Sequence, residues 1–316
     1  ANTVIVGINW GDEGKGRMVD LLTENYDIVI RISGGNAGHT VINEHGKFAL
    51  HLLPSGIFRK GVVNILGNGV ALDCESLWSE MEDVMSKGVS ITPEPEDQRP
   101  CLFAAALAPD LDALEEQRLA DKKYGSTKQG IAPFYSDKFQ KKTVMAGELL
   151  YPDKLWAHLE GILEWKNLTL TGVYGAEPVT MDDLKAWMDN YCEKIKPFIC
   201  DTGVYLRKAQ GGREENPGLK PSWARCGIWT TVSIPHHLIQ RHRRLRPRGS
   251  GLPTAKLDDV VGVVKAYSSL LGEGPFVCEW FGEDAQKLRD AGAEYGAKTG
   301  RPRRVGPIDL VATRYG

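Results

Sequence analysis

The chain opens on a β-branched apolar run, Thr3-Val4-Ile5-Val6-Gly7, that passes almost at once into the glycine-rich loop Gly11-Asp12-Glu13-Gly14-Lys15-Gly16. By length and residue type the first run is a buried strand. After the loop, Arg17-Met18-Val19-Asp20-Leu21-Leu22 places apolar residues at 18, 19, 21 and 22, which suits a helix with one buried face. Asp27-Ile28-Val29-Ile30-Arg31 reads as a second strand and runs into a second glycine loop, Gly34-Gly35-Asn36-Ala37-Gly38-His39-Thr40. Strand, loop, helix, strand is the opening of an α/β fold with a central, mainly parallel sheet flanked by helices. Ligands of such sheets sit at the carboxyl ends of the strands, where both glycine loops would lie.

The first loop suits a phosphate. Glycines let backbone N–H groups converge on phosphate oxygens, and the helix that follows adds its dipole. Lys15 would supply a point charge. The spacing is not that of a Walker A loop: Gly7 to Gly14 is too long, and Gly16-Arg17 stands where Ser or Thr should follow the lysine. The bland alternative is a tight strand-to-helix turn with a solvated lysine. Asp12 and Glu13 weigh against it, because carboxylates beside phosphates are costly unless a metal or a proton transfer needs them. His39, in the second loop, is placed to pair with a carboxylate across one pocket, taking one proton and donating another.

Two later stretches carry chemistry of the same kind. Gly125-Ser126-Thr127-Lys128-Gln129-Gly130-Ile131-Ala132-Pro133 offers hydroxyls and free backbone amides suited to a monophosphate, or is an ordinary loop. Lys298-Thr299-Gly300-Arg301-Pro302-Arg303-Arg304 sets three guanidinium forks around a turn, fit for carboxylates or phosphates, or is a basic surface loop.

The rest of the chain narrows the class. Its 316 residues carry a formal net charge of -2, so no global field points to nucleic acid or membrane. No run approaches the roughly eighteen apolar residues of a membrane span, and the strand at the N-terminus leaves no room for a signal peptide. Six scattered cysteines without CxxC spacing argue against zinc and for a reducing cytoplasm. Helical apolar spacing is expected over Asp110 to Lys123, Pro152 to Trp165, Met181 to Lys194 and Asp258 to Leu270. Residues 213–248 have no clear period and are rich in Arg, Pro, Trp and His.

Taken together, Asn9-Trp10-Gly11-Asp12-Glu13-Gly14-Lys15-Gly16, Gly35-Asn36-Ala37-Gly38-His39-Thr40, Leu52-Leu53-Pro54-Ser55-Gly56, Gly67-Asn68-Gly69-Val70, residues 126–133 and residues 299–304 resemble the adenylosuccinate synthetase family. The resemblance covers nearly the whole chain except parts of 94–110 and 213–248. It implies one large, P-loop-NTPase-like domain over 1–316 and the ligation of L-aspartate to inosine monophosphate (IMP). GTP is the co-substrate, with one Mg²⁺ per subunit and a 6-phosphoryl-IMP intermediate, in a cytoplasmic homodimer. Asp12, His39 and Lys15 would be catalytic. Gly11, Asp12, Glu13, Gly14, Lys15, Gly16, Gly38, His39 and Thr40 would bind GTP, and Asp12 with the Gly38 carbonyl would ligate Mg²⁺. Asn36, Thr127, Lys141 and Arg301 would bind IMP, and Thr299, Arg301 and Arg303 the aspartate.

Four departures qualify what the resemblance implies. One residue fewer precedes Asn36 than is usual, a shift of up to about 3.5 Å of chain reach for His39. Lys141 stands where the family reaches an arginine across the dimer, which loses the bidentate fork. Residues 213–248 read as an aberrant segment. Alternative frames of permitted codons over Trp223 to Ile234, and from His236 onward, resemble the family's missing stretch, as a reading-frame error would produce. Arg241-His242-Arg243-Arg244 would then be an artefact, not a nucleic-acid site, and Trp223 and Trp229 would be partly exposed. Finally, the family continues beyond Tyr315-Gly316 with the Lys and Asp that read guanine. Two other readings stay open on sequence: a GTPase or kinase-like phosphotransferase, and a non-catalytic paralogue that binds IMP or only dimerises.

Overall fold

The first strand, β1 (Thr3–Gly7), is buried along its whole length and leads through the Asp12 loop into α1 (Lys15–Leu22); β2 (Ile28–Arg31) follows. Next come an antiparallel hairpin, β3 (His39–Asn43) with β4 (Gly46–Leu50), then β5 (Val63–Leu66), β6 (Ala71–Leu72) and α2 (Cys74–Ser86). In the computed structural model the described residues are 2–9, 12–32, 35, 38–91, 103–104, 108–209, 228–230, 257–273, 275–296 and 300–315. The middle is helical, as its spacing implies. It comprises β7 (Phe103–Ala104), α3 (Ala108–Leu119), α4 (Ile131–Phe139), β8 (Val144–Met145) and the long α5 (Pro152–Tyr174), which outruns its expected end and stops at Gly175 in the left-handed region. The run α6 (Met181–Trp187), a π turn (Met188–Cys192) and α7 (Glu193–Ile195) fills the next expected helix, and α8 (Thr202–Ala209) follows.

Five parallel strands form the central sheet, in the order β10-β1-β9-β2-β5, with β9 (Ile228–Thr230) and β10 (Asp259–Val263) added from late in the chain. Successive side chains alternate between its faces. Val4, Val6, Ile28, Ile30, Val63 and Ile65 pack with Leu206 of α8 on one face, while Ile5, Val29 and Val263 pack with Val19 of α1 on the other. Each such Val or Ile contributes roughly 1.5–3 kcal/mol on burial. A one-residue slip would turn a strand's side chains to the wrong faces, so burial fixes the register. A larger core lies beside the sheet, where Phe48 and Leu50 of the hairpin meet Leu77 and Met81 of α2 and Leu155 and Leu159 of α5.

One expected helix is corrected. Residues 258–270 form two strands, β10 and β11 (Tyr267–Leu270), separated by residues 264–266. Their apolar spacing mimics a helical stripe, but Val260, Val261 and Val263 are β-branched and pair in parallel with β1. Tertiary pairing and β-branched stiffness outweigh a short periodic signal. The chain then forms α9 (Gly282–Ala291), β12 (Arg304–Pro307), which pairs antiparallel with β11, and α10 (Leu310–Tyr315). Of residues 213–248 only β9 is described; the exposure expected of Trp223 and Trp229, the Arg241–Arg244 cluster and the rest of that segment lie outside the described residues. Most of 94–107 does too.

Because the sheet is parallel, the carboxyl ends of β1, β10, β2 and β5 share one edge. The Asp12 loop, residues 264–266, the second glycine loop and Gly67-Asn68 all leave from it. The hairpin strand that begins at His39 packs against α1.

Candidate active site

Asp12 sits at that edge with φ 57°, in the left-handed region. This conformation is uncommon for a residue with a Cβ, and Asp tolerates it better than most. Gly14 follows with φ 85° and caps α1 without a side-chain bond, so the first-turn amides face the loop. Glu13 turns inward: its carboxylate accepts from the Asn9 amide at 3.1 Å and from Lys15 Nζ at 2.6 Å, and both charged side chains are buried. Lys15, expected to supply a point charge, is held in this ion pair beside the loop.

The arginine loop closes on this edge. Arg303 places Nε 3.1 Å from Asp12 Oδ2, an ion contact rather than an aligned hydrogen bond, because Nε has no partner meeting hydrogen-bond geometry. Its Nη1 donates to Glu294 at 2.8 Å. Glu294 is 2% exposed and also receives the Lys265 ammonium and the Tyr267 hydroxyl. Burial acts to raise its carboxyl pKa, but the three donors outweigh burial and leave it below the ordinary carboxylate range. Burial and the bond to Glu294 together push the Tyr267 hydroxyl upward. The Lys265 amide donates to the Asn9 side chain at 3.3 Å, which ties this network to the Asp12 loop. Arg301 donates to the Leu271 carbonyl and reaches the Gly125 carbonyl at 3.5 Å. Arg304 pairs with Glu279 instead.

Part of the Gly125–Pro133 stretch has its amides taken from within the protein. Glu116 of α3 accepts from the amides of Tyr124, Gly125 and Ser126 at 3.0, 3.0 and 3.1 Å. Asp112, one turn earlier, accepts from the Ser126 hydroxyl and, at 3.0 Å, from the Gly130 amide. Two buried carboxylates thus shape the loop from beneath, leaving Thr127 at its tip. Between this loop and Arg301 lies a cavity of about 250 Å³, with Lys123 and Lys128 on its wall. A second cavity, of about 420 Å³, opens between Gly35 and Gln129-Gly130. Asp73, Glu75, Glu80 and Asp83 line it, a wall that disfavours a phosphate.

The remaining predicted residues are placed unevenly. Gly16 is buried in α1, and its carbonyl accepts from the Ser55 hydroxyl at 3.3 Å. Thr40 is exposed on β3, and Gly38 is half-buried just before it. The His39 backbone begins a strand rather than lying within a loop, paired with Leu50. Lys141 is exposed beyond the end of α4 with φ 60°. Gly11, Asn36, Thr299 and the His39 side chain lie outside the described residues.

Glu80 of α2 was not legible from the sequence, yet it holds residues 51–53, which follow β4. Its carboxylate accepts from the amides of His51, Leu52 and Leu53 at 2.7, 2.8 and 3.3 Å, and Gly35 packs over the Leu52 side chain. Burial lifts the Glu80 carboxyl to about 7, against the pull of these amides and of Arg31. The folded state therefore keeps a proton that the unfolded chain has lost between pH 4.5 and 7. Stability contributed by Glu80 declines as pH rises through that window and is level above it. With solvent screening the decline is on the order of 2 kcal/mol. Urea melts at pH 5 and pH 8 are expected to show Glu80→Gln gaining that much relative to wild type at the higher pH. A pH-independent difference would refute the assignment.

The family model for adenylosuccinate synthetase matches residues 4–216 and 227–316, which include every segment of this edge. The chain belongs to the adenylosuccinate synthetase family. Adenylosuccinate synthetases of Thermodesulfovibrio yellowstonii and Halothermothrix orenii are 39% and 38% identical to it over 100% and 99% of its length, and it spans 74% and 73% of theirs. The fully ligated adenylosuccinate synthetase structure from Plasmodium falciparum superposes with a TM-score of 0.78 at 29% identity, over 99% of this chain and 73% of that one. An adenylosuccinate synthetase is a ligase that forms a C–N bond, joining L-aspartate to IMP with GTP in purine biosynthesis. This membership rules out the reading as another kind of phosphotransferase. The matched ranges leave only residues 217–226 unmatched inside the aberrant segment. No helix among the described residues is long and apolar enough to cross a membrane.

Proposed function

We propose that Asp12 is the base of the ligation, taking the proton from N1 of IMP so that O6 attacks the γ-phosphate of GTP. A neutral lactam oxygen is a poor nucleophile, and deprotonation at N1 delivers electron density to O6. The products of that step are 6-phosphoryl-IMP and GDP. The aspartate amine then adds at C6, the C6–O bond breaks and phosphate leaves; the new C6–N bond keeps one N–H, and the amine's remaining protons, with the one held on Asp12, go to solvent. His39 is the acid that stabilises the transferring group. The observation that carries this reading is Asp12 in its left-handed turn at the sheet edge, facing Arg303.

Around it, Gly11, Glu13, Gly14, Lys15, Gly16, Gly38 and Thr40 form the GTP cradle. Asn36, Thr127, Lys141 and Arg301 hold IMP, and Thr299, Arg301 and Arg303 hold aspartate. Among the described residues no group of three or more His, Cys, Asp or Glu forms a ready-made metal cage. Mg²⁺ fits a sparser set, because it commonly takes one or two carboxylates plus substrate phosphates and water. Asp12 and the Gly38 carbonyl are its protein donors here. The ion supplies charge neutralisation on the transferring phosphoryl group. The molecule acts in the cytoplasm as a homodimer, and sedimentation in solution tests the assembly.

The deciding experiment is adenylosuccinate formation with GTP, IMP and L-aspartate, each omitted in turn. Product that requires all three is expected. Its absence from folded protein, with IMP still raising the melting temperature, would move the chain to the non-catalytic reading.

A further inference from the structure

Four charges of alternating sign run from the interior to the edge of the site: Lys265, Glu294, Arg303 and Asp12. Four segments meet in this row of charges. Lys265 lies between β10 and β11, Glu294 follows α9, Arg303 immediately precedes β12, and Asp12 lies between β1 and α1. Glu294 is the buried member, and it is bonded on three sides. Its backbone carbonyl also accepts from the Arg303 amide at 2.9 Å, so both the main chain and the side chain of Arg303 are anchored to this one residue. The Arg289 Nε donates to the Arg303 carbonyl at 2.9 Å, so the backbone of Arg303 is held on both sides.

We propose that Glu294 is a positioning residue for the ligation, fixing the Arg303 guanidinium so that it captures a substrate carboxylate at the mouth of the Asp12 loop. A guanidinium on a long side chain loses rotamer freedom when it binds, and pre-ordering it removes that cost from the binding step. Glu294 takes Nη1, while Nε meets Asp12. Asp12 therefore lies against the part of Arg303 for which an incoming carboxylate competes. Arrival of that carboxylate displaces Asp12 from Arg303, while Glu294 keeps its hold on Nη1. Lys265 balances Glu294 from behind, so that one buried carboxylate faces two cations rather than Arg303 alone. The inference rests on the assignment of Arg303 to aspartate.

The test uses the full chain with ¹⁵N-labelled arginine, L-aspartate as probe, and Glu294→Gln beside wild type; Arg303→Lys identifies the Arg303 Nε resonance by its loss. In wild type that resonance is expected to move on addition of L-aspartate. In Glu294→Gln the KM for aspartate rises about tenfold or more, while KM for IMP and GTP stays within about twofold. An unchanged aspartate KM in folded variant, or an equal loss for all three substrates, overturns the positioning role and leaves the assignment of Arg303 standing. A wild-type resonance indifferent to aspartate overturns that assignment and the inference with it. If Glu294→Gln does not fold, Tyr267→Phe removes one donor and keeps every charge. It should show the same selective rise at about threefold, and no rise there overturns the inference.

Discussion

Asp12→Asn is expected to lower kcat for adenylosuccinate formation by about 10³-fold or more, with little change in melting temperature. A positioned general base contributes roughly 10²–10⁴ in rate, and an amide cannot take its proton. Loss of the carboxylate would also remove the metal donor proposed for this loop, which places the effect at the upper end. The fold should tolerate the change, because Asn adopts the left-handed region as readily as Asp does, and the Asp12 side chain is 31% exposed. The substitution breaks the ion pair with Arg303, but Glu294 still holds that guanidinium. The deficit should therefore fall on kcat and leave KM for IMP close to wild type. Steady-state rates with each substrate varied, beside a thermal melt, separate these terms. A variant within tenfold of wild type would remove Asp12 from the role of base.

The parts of this molecule that were legible in its sequence are those written locally. β1, α1 and β2 follow from short apolar runs whose period and flanking glycines leave little choice, and the Asp12 loop follows from its own residues. The arginine loop was legible as chemistry but not as geometry. Nothing near Arg303 in sequence announces that Asp12, almost three hundred residues earlier, is its neighbour. Glu80, Asp112, Glu116 and Glu294 were invisible for a related reason. Each is a carboxylate on or beside a helix, where the ordinary expectation is a solvated surface charge. Only tertiary packing turns them toward backbone amides or buried cations. Residues 258–270 failed differently: an apolar stripe fits a helix and a pair of strands equally over so short a span, and the partner β1 decided between them.

Glu116→Leu is expected to cost about 3–5 kcal/mol and to weaken IMP more than aspartate. The Glu116 side chain is 7% exposed, and its two oxygens accept from three consecutive amides. Leucine fills a similar volume but accepts nothing. Hydrogen bonds to a charged group contribute about 1.5–3 kcal/mol each, and part-buried donors recover some of that from water. Asp112 continues to hold Ser126 and Gly130, so the loop loses one of its two anchors rather than both. Thr127, at the unanchored tip, is the residue whose placement suffers. KM for IMP should rise about tenfold, while KM for aspartate, assigned to Arg303 and Thr299 as well as to Arg301, should rise less. Glu116→Gln keeps one acceptor oxygen and loses the charge, so it should fall between wild type and Leu in both stability and IMP affinity. Denaturant melts and substrate titrations on the three proteins check the order. A Leu variant as stable as wild type, or equal rises in KM for IMP and aspartate, would mean that the carboxylate under the loop neither holds its amides nor shapes its tip.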